Sequence, residues 1–316
     1  MFRDEVAYVF YSKAVYALTG LVILLVGVGA YSNVTRARAA SLEYSSIRNE
    51  LTAEGIDVDA ALEEDLNVTE TEENGTTVVE VDNPIRYAYE ELTRSVRALA
   101  PGNVASNGLA SVAFLGGPLL FGAWGVFLAT QDFVNKTVKV KAVRNDWKVV
   151  ALTKLSVGAL AVIGSVGLVL LLTLLVGRPV HAYGVSLPPG SVSLAAVDTA
   201  ALPGVSALAA QSGVAVVLGV LFMTVGYALG TVVRSPYVPL TLVVAYNVFI
   251  PVVGKYDPKN LASVIGHDVF AFSGVFQLVA PRPIPVPLAY GLIAAVALAA
   301  VAASLAAAHF QSKYVS

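Results

Sequence analysis

The segment from residue 131 to residue 154 holds the densest group of side chains that could bind a partner. It carries six basic residues against two acidic ones, Asp132 and Asp146. Apolar residues, among them Val138 and Trp147, alternate with these cations. A signal that only orients a chain in a membrane needs the positive charge but not the apolar side chains. The pattern therefore favours a docking surface for another protein, with a pure orientation signal as the simpler alternative.

The sequence lacks the residue patterns of the common catalytic and metal sites. It has no cysteine, which excludes thiolate chemistry and disulfides, and no G-x-x-x-x-G-K-[ST] loop for nucleotide phosphates. Its three histidines, His181, His267 and His309, are far apart in sequence. The pair His267-Asp268 could relay a proton or bind a metal, but such a pair is more often structural. We therefore expect no catalytic residue, no metal site and no cofactor bound by this chain itself.

Long stretches free of Asp, Glu, Lys and Arg indicate the elements that position these residues. The chain is 56% hydrophobic and 13% charged, whereas a soluble domain is about 25% charged. A helix needs about 20 apolar residues to cross a bilayer, and six uncharged gaps are long enough, so we predict an all-α multi-pass membrane protein with six spans. The gaps lie between Lys13 and Arg36, Arg97 and Asp132, Lys154 and Arg178, Asp198 and Arg234, Arg234 and Lys255, and Arg282 and Lys313.

The polar segments between the spans define the predicted domains. We expect an interfacial helix and the first span over 1–31, because the first 13 residues alternate charged and apolar side chains. The insert over 32–107 carries 15 acidic and six basic residues and is predicted to be mostly helical. Within it, one helix should begin at Pro84, and a turn at Asn74-Gly75 should flank a short strand. Residues 108–316 then hold the other five spans.

Charge places the two faces of the membrane. Basic residues concentrate in short loops on the cytoplasmic side of membrane proteins. Putting the basic segment 131–154 inside leaves the acidic insert outside and both termini in the cytoplasm. We expect the protein in the plasma membrane (the inner membrane in a bacterium), in contact with lipid and with no nucleic-acid partner.

A few residues within the apolar stretches could serve packing or a transport path. Gly226 and Gly230 have the spacing that lets helices approach closely, either within the chain or in a dimer. Gln211, Tyr246 and Asn247 are polar residues in spans and are candidates for a pathway, although hydrogen bonding between helices is their more ordinary role.

The segment after the second predicted span resembles a motif of a known family. Asp132, the run Lys136-Thr137-Val138-Lys139, the pair Trp147-Lys148 and Lys154 are similar to the cytoplasmic motif of permease subunits in ABC-2-type (type V) ABC transporters. The family has Gly where this chain has Lys136. Residues 226–235 resemble the end of the family's fourth span, and residues 83–90 resemble an outer-loop segment of bacterial members beside antibiotic or peptide exporters. The layout match covers nearly the whole chain.

The resemblance implies a permease without enzyme activity of its own. Two permease chains, alike or different, would form the path, and two copies of a separate ATPase would bind ATP and Mg²⁺. Residues 255–287 would re-enter the membrane between spans five and six, and the substrate would be a peptide or a hydrophobic antibiotic. The residues implied to couple to the ATPase are Asp132, Lys136, Thr137, Val138, Lys139, Arg144, Trp147 and Lys148.

Two functions of other classes remain as alternatives. A membrane assembly or sensory protein would bind an envelope partner through the acidic insert, and it would need no ATPase. A membrane enzyme acting on lipid is the weaker alternative, because no acidic or histidine cluster is placed at a membrane face by the sequence.

Overall fold

A computed structural model describes residues 2–73, 76–137, 141, 146–187 and 203–315. Most of these residues are helical, and one antiparallel pair of strands lies in the insert. The elements are α1 (Phe2–Tyr11), α2 (Ala14–Ala53), α3 (Val58–Glu63), β1 (Val68–Glu73), β2 (Thr76–Val81), α4 (Pro84–Ala98), α5 (Pro101–Ala110), the π-helix π1 (Ser111–Gly116), α6 (Gly117–Val134), α7 (Trp147–Ser186), α8 (Val205–Val233), α9 (Tyr237–Val244), the π-helix π2 (Ala245–Phe249), α10 (Pro258–Val269) and α11 (Val286–Val315).

Five of these helices, within the described residues, are long and apolar enough to cross a membrane. They are α2, the continuous run α5–π1–α6, α7, α8 and Val286–His309 of α11. The chain is therefore a mostly helical multi-pass membrane protein, as predicted. The fifth predicted span corresponds to the shorter apolar helix Tyr237–Phe249. Its 13 residues extend only about 20 Å, against a hydrocarbon thickness of about 30 Å.

The centre of the bundle is the close contact between α6 and α8, which run in the same direction. A Cβ added to Gly226 would lie 2.0 Å from the carbonyl oxygen of Gly122. A Cβ on Gly125 would lie 2.0 Å from the carbonyl oxygen of Met223, and one on Gly230 would lie 2.7 Å from Ala129 Cβ. The two backbones touch because these positions carry no side chain. Gly226 and Gly230 thus pack within the chain, which is the first of the two alternatives that their spacing predicted.

The insert is joined to the bundle by one continuous helix, because α2 continues past the apolar stretch without a break. At 40 residues, α2 is about 60 Å long, and α7 has the same length. Ser41 Oγ donates to the carbonyl of Leu187 at the end of α7 (2.9 Å). We call the end of the bundle that carries α1 the basal end, and the end that carries the insert the distal end.

The insert has its own small core between α2 and α4. Tyr44, Ile85, Leu92 and Val96 are buried in it. The predicted helix from Pro84 is confirmed, and Asn83 caps its start by accepting a hydrogen bond from the Arg86 amide (3.1 Å). The predicted strand is also confirmed as part of the β1–β2 hairpin, whose turn residues 74–75 lie outside the described residues.

Buried asparagines hold the irregular chain at the distal end. Asn33 on α2 accepts a hydrogen bond from the Val275 amide (2.8 Å), and Asn107 on α5 accepts one from the Gly274 amide (3.1 Å). Asn260 accepts from the Arg282 amide (2.7 Å) and donates to its carbonyl (3.1 Å). Backbone outside a helix is tolerated in a membrane only where protein supplies such partners.

Candidate functional site

Four charged side chains form a buried ion network at the basal end. Asp132, in the last turns of α6, is 1% exposed, and Lys154, near the start of α7, is 2% exposed. The Asp132 Oδ2 atom lies 2.6 Å from Lys154 Nζ, and its Oδ1 atom lies 2.9 Å from Lys141 Nζ. Lys141 also pairs with Glu5 of α1, which is 4% exposed. The acidic and basic groups therefore alternate through the network.

Further hydrogen bonds reach Lys154 and Asp132, whereas the buried Glu5 Oε2 atom has no hydrogen-bond partner among the described residues. Lys154 Nζ donates to the carbonyl of Leu128 (2.9 Å), and Thr137 Oγ1 donates to Asp132 Oδ1 (3.0 Å). Taking a charge out of water costs several kcal/mol unless partners of this kind replace the lost hydration. Burial lowers the pKa of Lys141, but the hydrogen bonds to Glu5 and Asp132 outweigh burial and raise it above its usual value. Lys141 is thus held as a cation.

Helix α1 is fixed to the bundle by this network. Lys141 Nζ lies 5.6 Å from the centre of the Tyr8 ring, and the Tyr8 hydroxyl accepts a hydrogen bond from Asn135. Val9 is buried in the main core. The predicted N-terminal helix is present, and its face formed by Glu5, Tyr8 and Val9 docks on the base of the spans. Lys13 then takes a left-handed conformation (φ 61°) between α1 and α2.

Sequence reasoning missed Glu5 and did not identify Lys154 as a site residue. It used Asp132 and Lys154 as the ends of uncharged gaps, which does not indicate that the two side chains are buried as a pair. The spacing of Glu5, Tyr8 and Val9 on one helical face was the available signal. It does not show which loop residue the face meets.

Two of the residues implied to contact an ATPase are covered by the chain itself. Asp132 is inside the ion network, and Trp147, the first residue of α7, is 6% exposed. Neither side chain is therefore a surface residue of this chain, and their part in coupling to an ATPase stays a prediction. Lys136 and Lys148 are exposed and Thr137 is half-buried. The other three implied residues, Val138, Lys139 and Arg144, lie outside the described residues.

Lys136 has an unusual backbone conformation. Its φ is 58°, in the left-handed region that glycine adopts at no steric cost. This is the position at which the resembling family has Gly. The turn after α6 therefore has the backbone that a glycine would favour, although a lysine occupies it.

The three polar pathway candidates are all engaged in internal hydrogen bonds. Gln211 is buried, and its Nε2 donates to the carbonyl of Val269 at the end of α10 (3.2 Å). The Tyr246 hydroxyl donates to Asp257 Oδ1 (2.5 Å), and Asn247 Nδ2 donates to the carbonyl of Val243 (2.8 Å). Gln211 and Tyr246 thus reach opposite ends of α10, whereas the Asn247 bond is local, and the three side chains do not meet at one place.

Lys259 completes the end of the short apolar helix. Its ammonium donates to the carbonyls of Tyr246 (2.5 Å), Asn247 (3.3 Å) and Ile250 (2.6 Å). The last carbonyls of a helix lack partners and carry the negative end of its dipole. A half-buried cation at this place satisfies both requirements where the chain stops being helical.

The histidine pair considered from sequence has a structural setting. His267 Nδ1 lies 2.9 Å from the Ser263 carbonyl, and its ring packs 5.2 Å from that of Phe272. Across the part of the chain that the structure describes, no three His, Asp or Glu side chains come together as a metal site would require.

The comparisons with known proteins leave the function to be argued from this geometry. No family model, no curated protein and no solved structure matches the chain.

Proposed function

We propose that this chain is the membrane-spanning subunit of an ATP-driven exporter, coupled to a separate ATPase through the segment after α6. The observation that carries the proposal is the ion network at the basal end. Lys141 lies between α6 and α7 in sequence, and it is bound to Asp132 of α6 and to Glu5 of α1. A partner that moved this segment would therefore move the bases of the spans with it.

The chemistry of the network suits force transmission better than passive anchoring. An apolar contact can slide, whereas buried charges must keep their partners because an unpaired buried charge costs about 3–5 kcal/mol. The link from the segment to α1, α6 and α7 is therefore stiff. Exposed Lys136 and Lys148 flank it and would supply the cations that an acidic groove on the ATPase would attract.

The finer membrane layout belongs to this proposal. We assign Tyr237–Phe249 as the fifth span, and residues 250–285, which include α10, as the segment that completes its passage and re-enters the membrane before α11. The basal end is assigned to the cytoplasm on the positive-inside rule. Two copies of the chain, or this chain and a similar one, would enclose the path for a peptide or a hydrophobic antibiotic, with ATP and Mg²⁺ bound by the ATPase.

Copurification with a candidate ATPase tests the proposal. The candidate is any soluble ATPase with a Walker motif that proves to be encoded beside this reading frame, with the native chain as bait. We expect the Lys136→Glu/Lys148→Glu variant to lose the ATPase, because both positions are exposed and the reversal should not disturb the core. Arg178→Glu, an exposed charge reversal on the distal half of α7, is the matched control. Undiminished ATPase binding by the double variant would overturn the docking assignment.

A sensory or assembly role is the second candidate. Continuous α2 joins the insert directly to the basal end, which is the path that a signal from an envelope partner would take. This role predicts a partner that depends on residues 32–107 and no associated ATPase. The same copurification, repeated with a chain lacking β1 and β2, separates the two functions.

A further inference from the structure

A groove of about 540 Å³ opens on the side of the bundle in its distal half. Its apolar lining includes Phe114, Leu119, Phe222 and Val248 of π2. Two basic residues, Lys259 and Arg282, also line it, and we call them its rim. Val248 is 58% exposed, so the groove is open to whatever surrounds the spans. We call it the distal groove.

The rim of the distal groove is positively charged. Arg282 is exposed, and its guanidinium has only a long contact to the Val253 carbonyl (3.5 Å). Lys255, nearby in the chain, lies over the ring of Tyr256, 4.9 Å from its centre. No ion pair found among the described residues involves Lys255, Lys259 or Arg282. The Asp257 carboxylate lies close enough to interact with Lys259, so Arg282 is the rim cation that no described carboxylate pairs with.

The position of the groove along the membrane normal matches the boundary of one leaflet. The short helix Tyr237–Phe249 rises about 20 Å from the basal side, and Lys259 caps its end. The opposite edge of the hydrocarbon lies about 10 Å further on, since the hydrocarbon is about 30 Å thick. An arginine at this level extends its charged end to the phosphate layer while its stem stays in the apolar region. Arg282 is placed for that arrangement.

We propose that the distal groove binds one anionic phospholipid from the leaflet at the distal end. Arg282 would bind the phosphate, because guanidinium matches phosphate oxygens in a two-pronged hydrogen bond. The Lys259 charge lies behind it, and an acyl chain would lie along Phe114, Leu119 and Val248. A zwitterionic lipid brings its own ammonium to the cationic rim and gains less. The proposal depends on the membrane placement of the bundle and is independent of coupling to an ATPase.

Native mass spectrometry of the full-length protein tests this assignment. The protein is reconstituted in nanodiscs of equal phosphatidylglycerol and phosphatidylcholine, extracted in detergent, and its retained lipids are identified. We expect one phosphatidylglycerol on the native chain. Arg282→Gln should weaken its retention about tenfold, the effect of losing one charge-assisted hydrogen bond. Both leaflets of such a nanodisc are alike, so the result does not depend on which face is outside.

Two further variants separate the groove from general attraction to headgroups. Val248→Trp fills the groove without changing charge and should also lose the lipid. Arg178→Gln removes an exposed charge from the distal half of α7 and should retain it. Equal loss in Arg178→Gln and Arg282→Gln, or equal retention of phosphatidylcholine, would overturn the proposal. A Val248→Trp chain that keeps its lipid would also overturn the proposal. A Val248→Trp chain that changes the number of chains per particle would overturn it too, because that result would show that a second copy of the chain covers the groove.

Discussion

Lys154 and Asp132 form a 2.6 Å ion pair in which both side chains are almost completely buried. The pair joins the last turns of α6 to the first turns of α7, on either side of the basic segment. It thereby fixes the geometry from which that segment projects. Glu5 and Lys141 extend the same network to α1.

Removing one partner of this pair should be far more harmful than removing both. Lys154→Met leaves the Asp132 carboxylate buried without its closest cation, and we expect a loss of about 3–5 kcal/mol in unfolding free energy. Adding Asp132→Leu should recover much of that loss. Chemical unfolding in detergent measures both, with exposed Lys148→Met as the control, which should change stability by less than about 0.5 kcal/mol. An additive double variant would contradict the pairing.

The attachment of α1 should weaken at alkaline pH. Lys141 has a raised pKa in the folded protein, so its contribution is complete below the unfolded value of about 10.4. That contribution is lost as pH rises through the higher folded value. A spin label on Tyr11→Cys reports the change, because the chain has no other cysteine and Tyr11 is 85% exposed. We expect the label to become mobile only above the usual lysine range.

The Lys141→Met chain provides the comparison for this titration. Its label should be mobile at neutral pH, because Glu5 has lost its partner. If the label stays immobile in Lys141→Met, α1 is held mainly by Val9 and the apolar contacts, and the network is not its anchor.

Gly226→Ala should disrupt the centre of the bundle. The new methyl would meet the Gly122 carbonyl at 2.0 Å, so the helices must separate, at a cost of about 1–3 kcal/mol or more. Gly213 lies on the same helix with nothing within 4 Å of an added Cβ. Gly213→Ala should therefore stabilise the protein by about 0.5–1 kcal/mol. Thermal unfolding in detergent compares the two, and equal effects would show that the contact is not tight.

Lys136→Gly should stabilise the turn after α6. A residue with a Cβ at φ 58° costs about 1–2 kcal/mol that glycine avoids, partly offset by the entropy of the unfolded glycine. Lys136→Val should destabilise the protein, since a β-branched residue is least tolerant of this conformation. Lys148→Gly, within α7, should cost about 1 kcal/mol and controls for loss of a lysine. A stabilising valine would contradict the left-handed assignment.

The sequence was sufficient for the helices but not for their partners. Uncharged gaps predicted most of the spans because the hydrophobic requirement of a bilayer is local in sequence. Asp132 and Lys154 could not be paired, since periodicity shows the faces of one helix and not which faces meet. For the same reason Trp147 was expected on the surface. The Gly226 motif is identical for contacts within a chain and between chains, so only the structure could assign it.

The composition also did not predict how far α2 extends past the membrane. The polar residues that begin near Ser32 mark the edge of the membrane, and we expected the insert to start there. They do not end the helix, because no glycine or proline occurs between Gly29 and Gly55. A helix can leave the bilayer intact when nothing in its sequence interrupts the backbone hydrogen bonds.

Because α2 is continuous, a small tilt at one end of the helix produces a large displacement at the other end. A tilt of about 10° at the basal end displaces the tip of a helix about 60 Å long by about 10 Å. The distal end of α2 packs with α4 in the core of the insert, so the acidic surface of the insert moves by a similar distance. A probe placed on the insert would therefore read small rotations at the base of the bundle as large displacements on the far side of the membrane.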